Sequence, residues 1–169
     1  VNNINQILLH DPLVIRIEAE SDSIDLIEQT GYLVPEERKG PLLRFLIKQN
    51  NMKQVLVFTS SVYSAEKVAE KLRNSGVDAS AMHSKLSQKA RTEAMERFKS
   101  GKLRVMVATD LISRGIDIKF LPHVINYELP MDAESYVHRI GRTGRAGAEG
   151  RAISLVCDKD VESLSRIED

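Results

Sequence analysis

Residues 55–76 read VLVFTSSVYSAEKVAEKLRNSG and combine a buried strand with an amphipathic helix. The opening run VLVFT is continuously apolar and rich in β-branched residues, which is typical of a strand in a parallel sheet. The residues after it place apolar side chains at helical spacing, with Ser60 or Ser61 as N-cap and Gly76 beyond the last turn. This unit predicts a strand followed by a helix that covers one face of a sheet.

The same alternation of strand and helix extends over most of the chain. Apolar runs predict further strands at 104–108, 123–127 and 152–156, with weaker candidates at 31–34 and 77–82. Helical stripes predict one helix between Ser87 and Gly101, and another that has Pro35 in its first turn. The pattern predicts an α/β fold, a doubly wound and mostly parallel sheet with helices on both faces. Ligands of such sheets bind at the carboxyl ends of the strands.

The composition is that of one soluble globular domain without overall attraction for nucleic acid. The chain of 169 residues carries 24 basic and 24 acidic side chains, so its formal net charge is zero. No apolar stretch approaches the roughly 18 residues that span a bilayer, and no signal peptide is recognisable. We expect a cytoplasmic protein, with the nucleus left open. The single cysteine, Cys157, follows an apolar run and is expected to be a buried, inert thiol.

An arginine-rich segment at 136–147, YVHRIGRTGRAG, is the most informative part of the sequence. Arg139, Arg142 and Arg145 recur at every third position, and glycines at 141, 144 and 147 follow the same spacing. Guanidinium groups bind phosphate oxygens through two parallel hydrogen bonds, so the segment could hold an anion. A solvated basic loop is the alternative that the segment alone leaves open.

A second polar segment, 107–118, leaves a buried strand and reads VATDLISRGIDI. Thr109 and Asp110 stand at the predicted carboxyl end of that strand, where they could contact a ligand or cap a helix. Asp117 lies between two isoleucines, where a solvated face is not expected. Its carboxylate could accept hydrogen bonds from a ribose hydroxyl or pair with a nearby arginine.

A third candidate is the turn at 59–61, where Thr59, Ser60 and Ser61 join a strand to a helix. Backbone N–H groups at the start of a helix can hold a phosphate. Helix capping without any ligand is the alternative interpretation of these hydroxyl side chains.

Taken in order, four motifs resemble those of the second RecA-like lobe of DEAD-box RNA helicases. They are VLVFTSS, the QKAR turn at 88–91, ATDLISRGID and YVHRIGRTGR. The resemblance covers the chain from Gly31 to its last residue. HRIGRTGR together with ATD-xxx-RGID is a highly specific combination.

The resemblance implies a nucleotide site that this lobe shares with another. Arg142 and Arg145 would act as arginine fingers on the terminal phosphate of ATP bound to the other lobe. Asp117 would contact the ATP ribose, and Gly115 would allow a close approach of the backbone.

The resemblance also implies an RNA site and an interface between lobes. Thr109 and Arg91 would bind phosphates of single-stranded RNA, and Thr59 and Ser60 at the helix start would bind them too. Contact with the RNA backbone suits an enzyme that acts on many sequences. His138 and Arg139 would support the interface between the lobes.

Two sequence features limit what this chain can do. It contains neither a G-x-x-x-x-G-K-[ST] phosphate loop nor an Asp-Glu-Ala-Asp run, so ATP and Mg²⁺ would be held by the missing N-terminal lobe. Ser84 stands where the family commonly has glycine, and it would be strained if that turn requires a positive φ. We therefore expect the isolated chain to be inactive in ATP hydrolysis.

The expected organisation is a linker and tail of the preceding lobe at 1–29, followed by the helicase C-terminal domain at 30–169. The expected partners are RNA and the N-terminal lobe of the same protein, which would act as a monomer without membrane contact. One alternative is a non-catalytic RNA-binding or scaffold module on the same fold. A dinucleotide-binding oxidoreductase is disfavoured, because no G-x-G-x-x-G follows a first strand.

Overall fold

The computed structural model describes residues 12–13, 27–109, 123–130, 135–136, 139 and 150–157. Within these residues, seven strands form one sheet. They are β1 (Pro12–Leu13), β2 (Ile27–Leu33), β3 (Val55–Thr59), β4 (Ala79–Met82), β5 (Val105–Thr109), β6 (His123–Asn126) and β7 (Gly150–Val156).

The described strands lie in the order β1-β2-β7-β6-β3-β5-β4. All pairings from β2 to β4 along this order are parallel, and only the two-residue β1 pairs antiparallel, with β2. The chain places β3 between β5 and β6, so successive strands lie on both sides of it. The predicted doubly wound and mostly parallel sheet is therefore confirmed.

The helices of the described part are α1 (Lys39–Gln49), α2 (Val62–Asn74) and α3 (Gln88–Lys99). The last two begin and end where serine and glycine predicted them to. Ser61 Oγ accepts a hydrogen bond from the Ser64 N–H at 3.1 Å, and Ser87 Oγ accepts one from Ala90 at the same distance. Gly76 and Gly101 follow the two capped helices with φ of 85°, a conformation that favours glycine.

Alternate residues of the central strand face two separate apolar cores. Val55 and Val57 face the core that α1 and α2 cover, while Leu56 and Phe58 face the one that α3 covers. Phe98 of α3 is fully buried in the second core. Because each face of β3 meets helices, all five of its residues are buried, as the continuous apolar run predicted.

Several elements have different limits from the predicted ones. β2 starts at Ile27 rather than at 31, so three of its residues precede the predicted domain start at 30. Its polar residues pair through backbone groups with β7, which an apolar pattern does not reveal. A 3-10 turn, Glu36–Arg38, separates Pro35 from α1. The division at residue 29 stays a prediction.

Two further expectations can be compared with the described residues. Cys157 is buried, as predicted. None of the described helices combines the length and the apolar character that crossing a membrane requires.

Candidate functional site at the carboxyl edge of the sheet

The carboxyl ends of β3 and β5 bring two of the predicted site residues together. Thr59 and Thr109 are partners in the register of these parallel strands. Both side chains are buried, with 0% and 8% of their surface exposed. The Thr59 hydroxyl donates a hydrogen bond to the Ser61 carbonyl at 3.3 Å, so it holds the turn that follows β3.

The exposed Ser60 is engaged by a carboxylate distant in sequence. Its backbone N–H and its hydroxyl both donate to Oε1 of Glu128, at 2.8 and 3.0 Å. In this arrangement neither donor of Ser60 is available to a phosphate. The amides of Val62 and Tyr63, in the first turn of α2, belong to the set that has no intrahelical partner.

Glu128 follows the carboxyl end of β6 and contacts the same turn through its main chain. Its N–H donates to the Phe58 carbonyl at 3.3 Å, and its own carbonyl accepts a bond of 2.6 Å from Nη1 of Arg139. Glu128 was not among the site residues predicted from the sequence. A carboxylate just beyond a buried strand was the available signal, the same one that drew attention to Asp110.

Arg139 lies inside the domain, with 1% of its surface exposed. Nη1 donates to the Asn126 Oδ1 at 3.0 Å as well as to the Glu128 carbonyl, and the guanidinium stands 5.1 Å from the centre of the Phe58 ring. These contacts offset the loss of hydration that burial of a charge entails. The structure thus anchors Arg139 within its own lobe, and its predicted support of an inter-lobe interface stays a prediction.

Buried polar groups continue from Arg139 towards β7. The Asn126 amide donates to the Ser154 hydroxyl at 3.2 Å. Tyr136 donates to Oε1 of Gln29 at 3.1 Å. Burial raises the pKa of Tyr136 to about 12, while a hydrogen bond with Ser154 acts in the opposite direction. The phenol therefore remains protonated near neutral pH and serves as a donor.

The turn between β4 and α3 is held by a buried histidine. Nδ1 of His83 accepts a bond from the Lys85 N–H at 3.2 Å, so the proton is on Nε2, which lies 2.6 Å from Oε1 of Glu66. Among the described non-glycine residues, positive φ angles occur only at Asn51 and Gln54. Ser84 therefore adopts an ordinary conformation, and the strain considered for it does not arise.

Arg91 lies in the first turn of α3 and is partly exposed. Its Nε is buried and has no hydrogen-bond partner among the described residues. Buried donors are nearly always satisfied, so an orphaned one calls for an acceptor.

Five predicted site residues lie outside the described part of the chain. They are Gly115, Asp117, His138, Arg142 and Arg145. Their assigned roles stay predictions, as do those of Thr59, Ser60, Arg91 and Thr109. Within the described residues, no group of three or more histidine, cysteine or acidic side chains could hold a metal ion.

Comparison with known proteins identifies the family. The helicase conserved C-terminal domain family matches residues 38–147. The chain is 37% identical over 169 residues to the ATP-dependent rRNA helicase RRP3 of Kluyveromyces lactis, covering 100% of this chain and 35% of that protein. The chain thus spans about one third of the length of the curated relatives it matches.

Solved structures agree with the sequence relatives. A DEAD box protein from Methanococcus jannaschii superposes with a TM-score of 0.80 at 42% identity, covering 86% of this chain and 40% of that one. The E. coli DEAD-box protein SrmB, solved with regulator of ribonuclease activity A, superposes with a TM-score of 0.75 at 38% identity. This match covers 80% of this chain and 79% of that one. These neighbours confirm the predicted RecA-like fold. The chain therefore belongs to the helicase conserved C-terminal domain family and, within it, to the DEAD-box proteins.

Proposed function

We propose that this chain is the C-terminal lobe of an ATP-dependent RNA helicase. It supplies arginine fingers to ATP held on an N-terminal lobe, and it grips single-stranded RNA through the RNA backbone. The names of its relatives support ATP and RNA as the ligands, since those proteins are called ATP-dependent rRNA helicases.

The observation that carries the RNA part is the grouping of polar residues at one edge of the sheet. Thr59 and Thr109 end neighbouring parallel strands in direct register. Arg91 lies in the first turn of the helix that follows β4, the strand on the other side of β5. Hydroxyl, amide and guanidinium groups are the donors that proteins direct at phosphates. Their shared edge is where ligands of doubly wound sheets bind.

The nucleotide part rests on the arginine segment and on the anchoring of its first member. Arg142 and Arg145 follow the buried Arg139 by three and six residues in sequence. In our proposal they bind the terminal phosphate, Asp117 binds the ribose, and Gly115 allows close backbone approach. Mg²⁺ would be held by the N-terminal lobe, where it offsets phosphate charge.

The division between two lobes explains how binding could drive work. Phosphoryl transfer depends mainly on positioning and on charge stabilisation, so hydrolysis would become fast only when the arginines reach the phosphate. Simultaneous binding of RNA to both lobes would favour that closed arrangement. Closure would bend the bound strand and separate a short duplex, and hydrolysis would release it.

Replacing Arg91 with alanine is expected to weaken binding of single-stranded RNA to this chain by about 10- to 100-fold, the usual value of a charge-assisted hydrogen bond. The loss should be similar for oligonucleotides of different sequence, since a phosphate contact carries no base information. The salt dependence should become shallower by about 0.7 in the slope of log K against log salt. Fluorescence anisotropy at several salt concentrations measures both quantities.

Arg97→Ala is the matched control for this experiment. It removes the same charge from an exposed position of the same helix, about 9 Å further along its axis. It should leave affinity and salt slope close to those of the wild type. Equal losses for the two variants, or a loss confined to one base sequence, would contradict the proposed phosphate contact of Arg91.

A further inference from the structure

We infer that Glu128 is a positioning residue that holds the RNA-contacting turn of β3 and α2 and joins it to the arginine segment. This inference rests on the proposed function for its RNA part. The contacts themselves belong to the described structure and do not depend on it.

Several hydrogen bonds from the end of β3 and the turn after it converge on Glu128. Glu128 binds the turn through its carboxylate, which accepts from the N–H and the hydroxyl of Ser60 at 2.8 and 3.0 Å. It also binds the last part of β3 through its N–H, which donates to the Phe58 carbonyl. Glu128 thus holds Ser60, 68 positions earlier in the chain, and also binds Phe58, two residues before Ser60. Hydrogen bonds to a charged acceptor are the strong class, so this clamp restricts the turn.

The main chain of Glu128 contacts the arginine segment. Its carbonyl accepts a bond of 2.6 Å from Arg139, whose guanidinium also stands over the Phe58 ring. Glu128 therefore contacts both Ser60 and Phe58, and Arg139 contacts both Glu128 and the Phe58 ring. A shift of the turn would disturb Arg139, and a shift of Arg139 would disturb the turn.

The Glu128 carboxylate could affect RNA binding in either of two ways. A negative charge beside an RNA phosphate repels it, so Glu128 could act simply as an obstacle. Both donors of Ser60 are already used by Glu128, whereas the first amides of α2 have no intrahelical partner. The arrangement is that of a carboxylate that fixes the turn and leaves the following amides for the phosphate. Positioning, rather than obstruction, is the role that these contacts support.

The test compares Glu128→Ala with Glu128→Gln, which carry the same charge. Glutamine keeps Oε1 as an acceptor for Ser60, whereas alanine removes it. Without RNA, exchange of the Ser60 amide hydrogen should be about 10- to 100-fold faster in the alanine variant than in the glutamine variant. The RNA affinity of the alanine variant should be about 5- to 30-fold lower than that of the glutamine variant. The reason is that RNA binding must then order one residue of backbone that Glu128 no longer holds. Glu70→Ala, which removes an exposed carboxylate of α2, is the control for charge.

Rescue by glutamine is the readout that loss of folding alone would not produce. Equal RNA affinities for the alanine and glutamine variants would overturn the inference, and tighter binding by both to the same extent would make Glu128 an obstacle instead. A wild-type chain that binds no RNA would refute the proposed RNA contact. The exchange rate of Ser60 would then still decide whether Glu128 holds the turn.

Discussion

Replacing Arg142 with alanine in the full-length protein is expected to lower RNA-stimulated ATP hydrolysis by about 10³- to 10⁵-fold. This loss corresponds to about 4–7 kcal/mol of transition-state stabilisation at 1.36 kcal/mol per decade. The effect is large because the guanidinium would meet charge that develops on the transferred phosphoryl group in a site closed to water. It should appear in kcat at saturating ATP and RNA, because the interaction forms mainly in the transition state.

Arg142→Lys separates charge from geometry in the same assay. Lysine keeps the positive charge but lacks the planar fork that binds two phosphate oxygens, so it should restore only part of the rate. Arg97→Ala should hydrolyse ATP at the wild-type rate, because that exposed side chain lies on the last turn of α3. A kcat for Arg142→Ala equal to that of the wild type would remove the arginine finger from the proposal.

Replacing Arg139 with alanine is expected to lower the free energy of unfolding by about 3–5 kcal/mol. Its removal leaves the Asn126 side-chain oxygen and the Glu128 carbonyl without a donor, each costing about 1–3 kcal/mol. Loss of a large buried side chain adds the cost of a cavity beside Phe58. Urea unfolding followed by circular dichroism gives this difference directly.

The free energy of unfolding of Arg139→Lys should lie between those of the wild type and the alanine variant, because an ammonium group keeps the charge without the rigid set of donors. Arg97→Ala should change the free energy of unfolding by less than about 0.5 kcal/mol, as is usual for an exposed position. An unchanged midpoint for Arg139→Ala would mean that the buried hydrogen bonds contribute nothing to the fold.

The elements that local patterns specify were predictable in this chain. β3 was predicted at its observed limits because five successive residues are buried on both faces of the sheet. The starts of α2 and α3 follow from Ser61 and Ser87, whose hydroxyls accept from amides three residues later. The topology also followed, since strands that alternate with helices form parallel sheets with a fixed handedness.

The elements that pair through polar residues were less predictable. β2 and β7 begin earlier than expected because Glu28 and Arg151 contribute backbone hydrogen bonds to the ladder without apolar side chains. The 3-10 turn before α1 was missed because Pro35 is compatible with either type of helical start. In both cases the backbone decides a limit that side-chain hydropathy does not mark.

The candidate site shows the same difference. Thr59 and Thr109 were predicted to lie at one edge, and the register of β3 and β5 brings them side by side. The clamp of Glu128 on Ser60 joins residues 68 positions apart, and no local pattern encodes such a contact. Arg139 was selected for its place in HRIGRTGR, whereas its burial beside Phe58 depends on the folded sheet.

The central claim is that this chain forms one half of an ATPase site, and ATP hydrolysis by the isolated chain tests it most directly. The chain should show no hydrolysis above background with or without RNA, whereas the full-length protein should be stimulated by RNA. The reason is that a phosphate loop and the acidic residues that bind Mg²⁺ are absent from these 169 residues. ATP turnover by the isolated chain, abolished by Arg142→Ala, would contradict the claim by revealing a complete site.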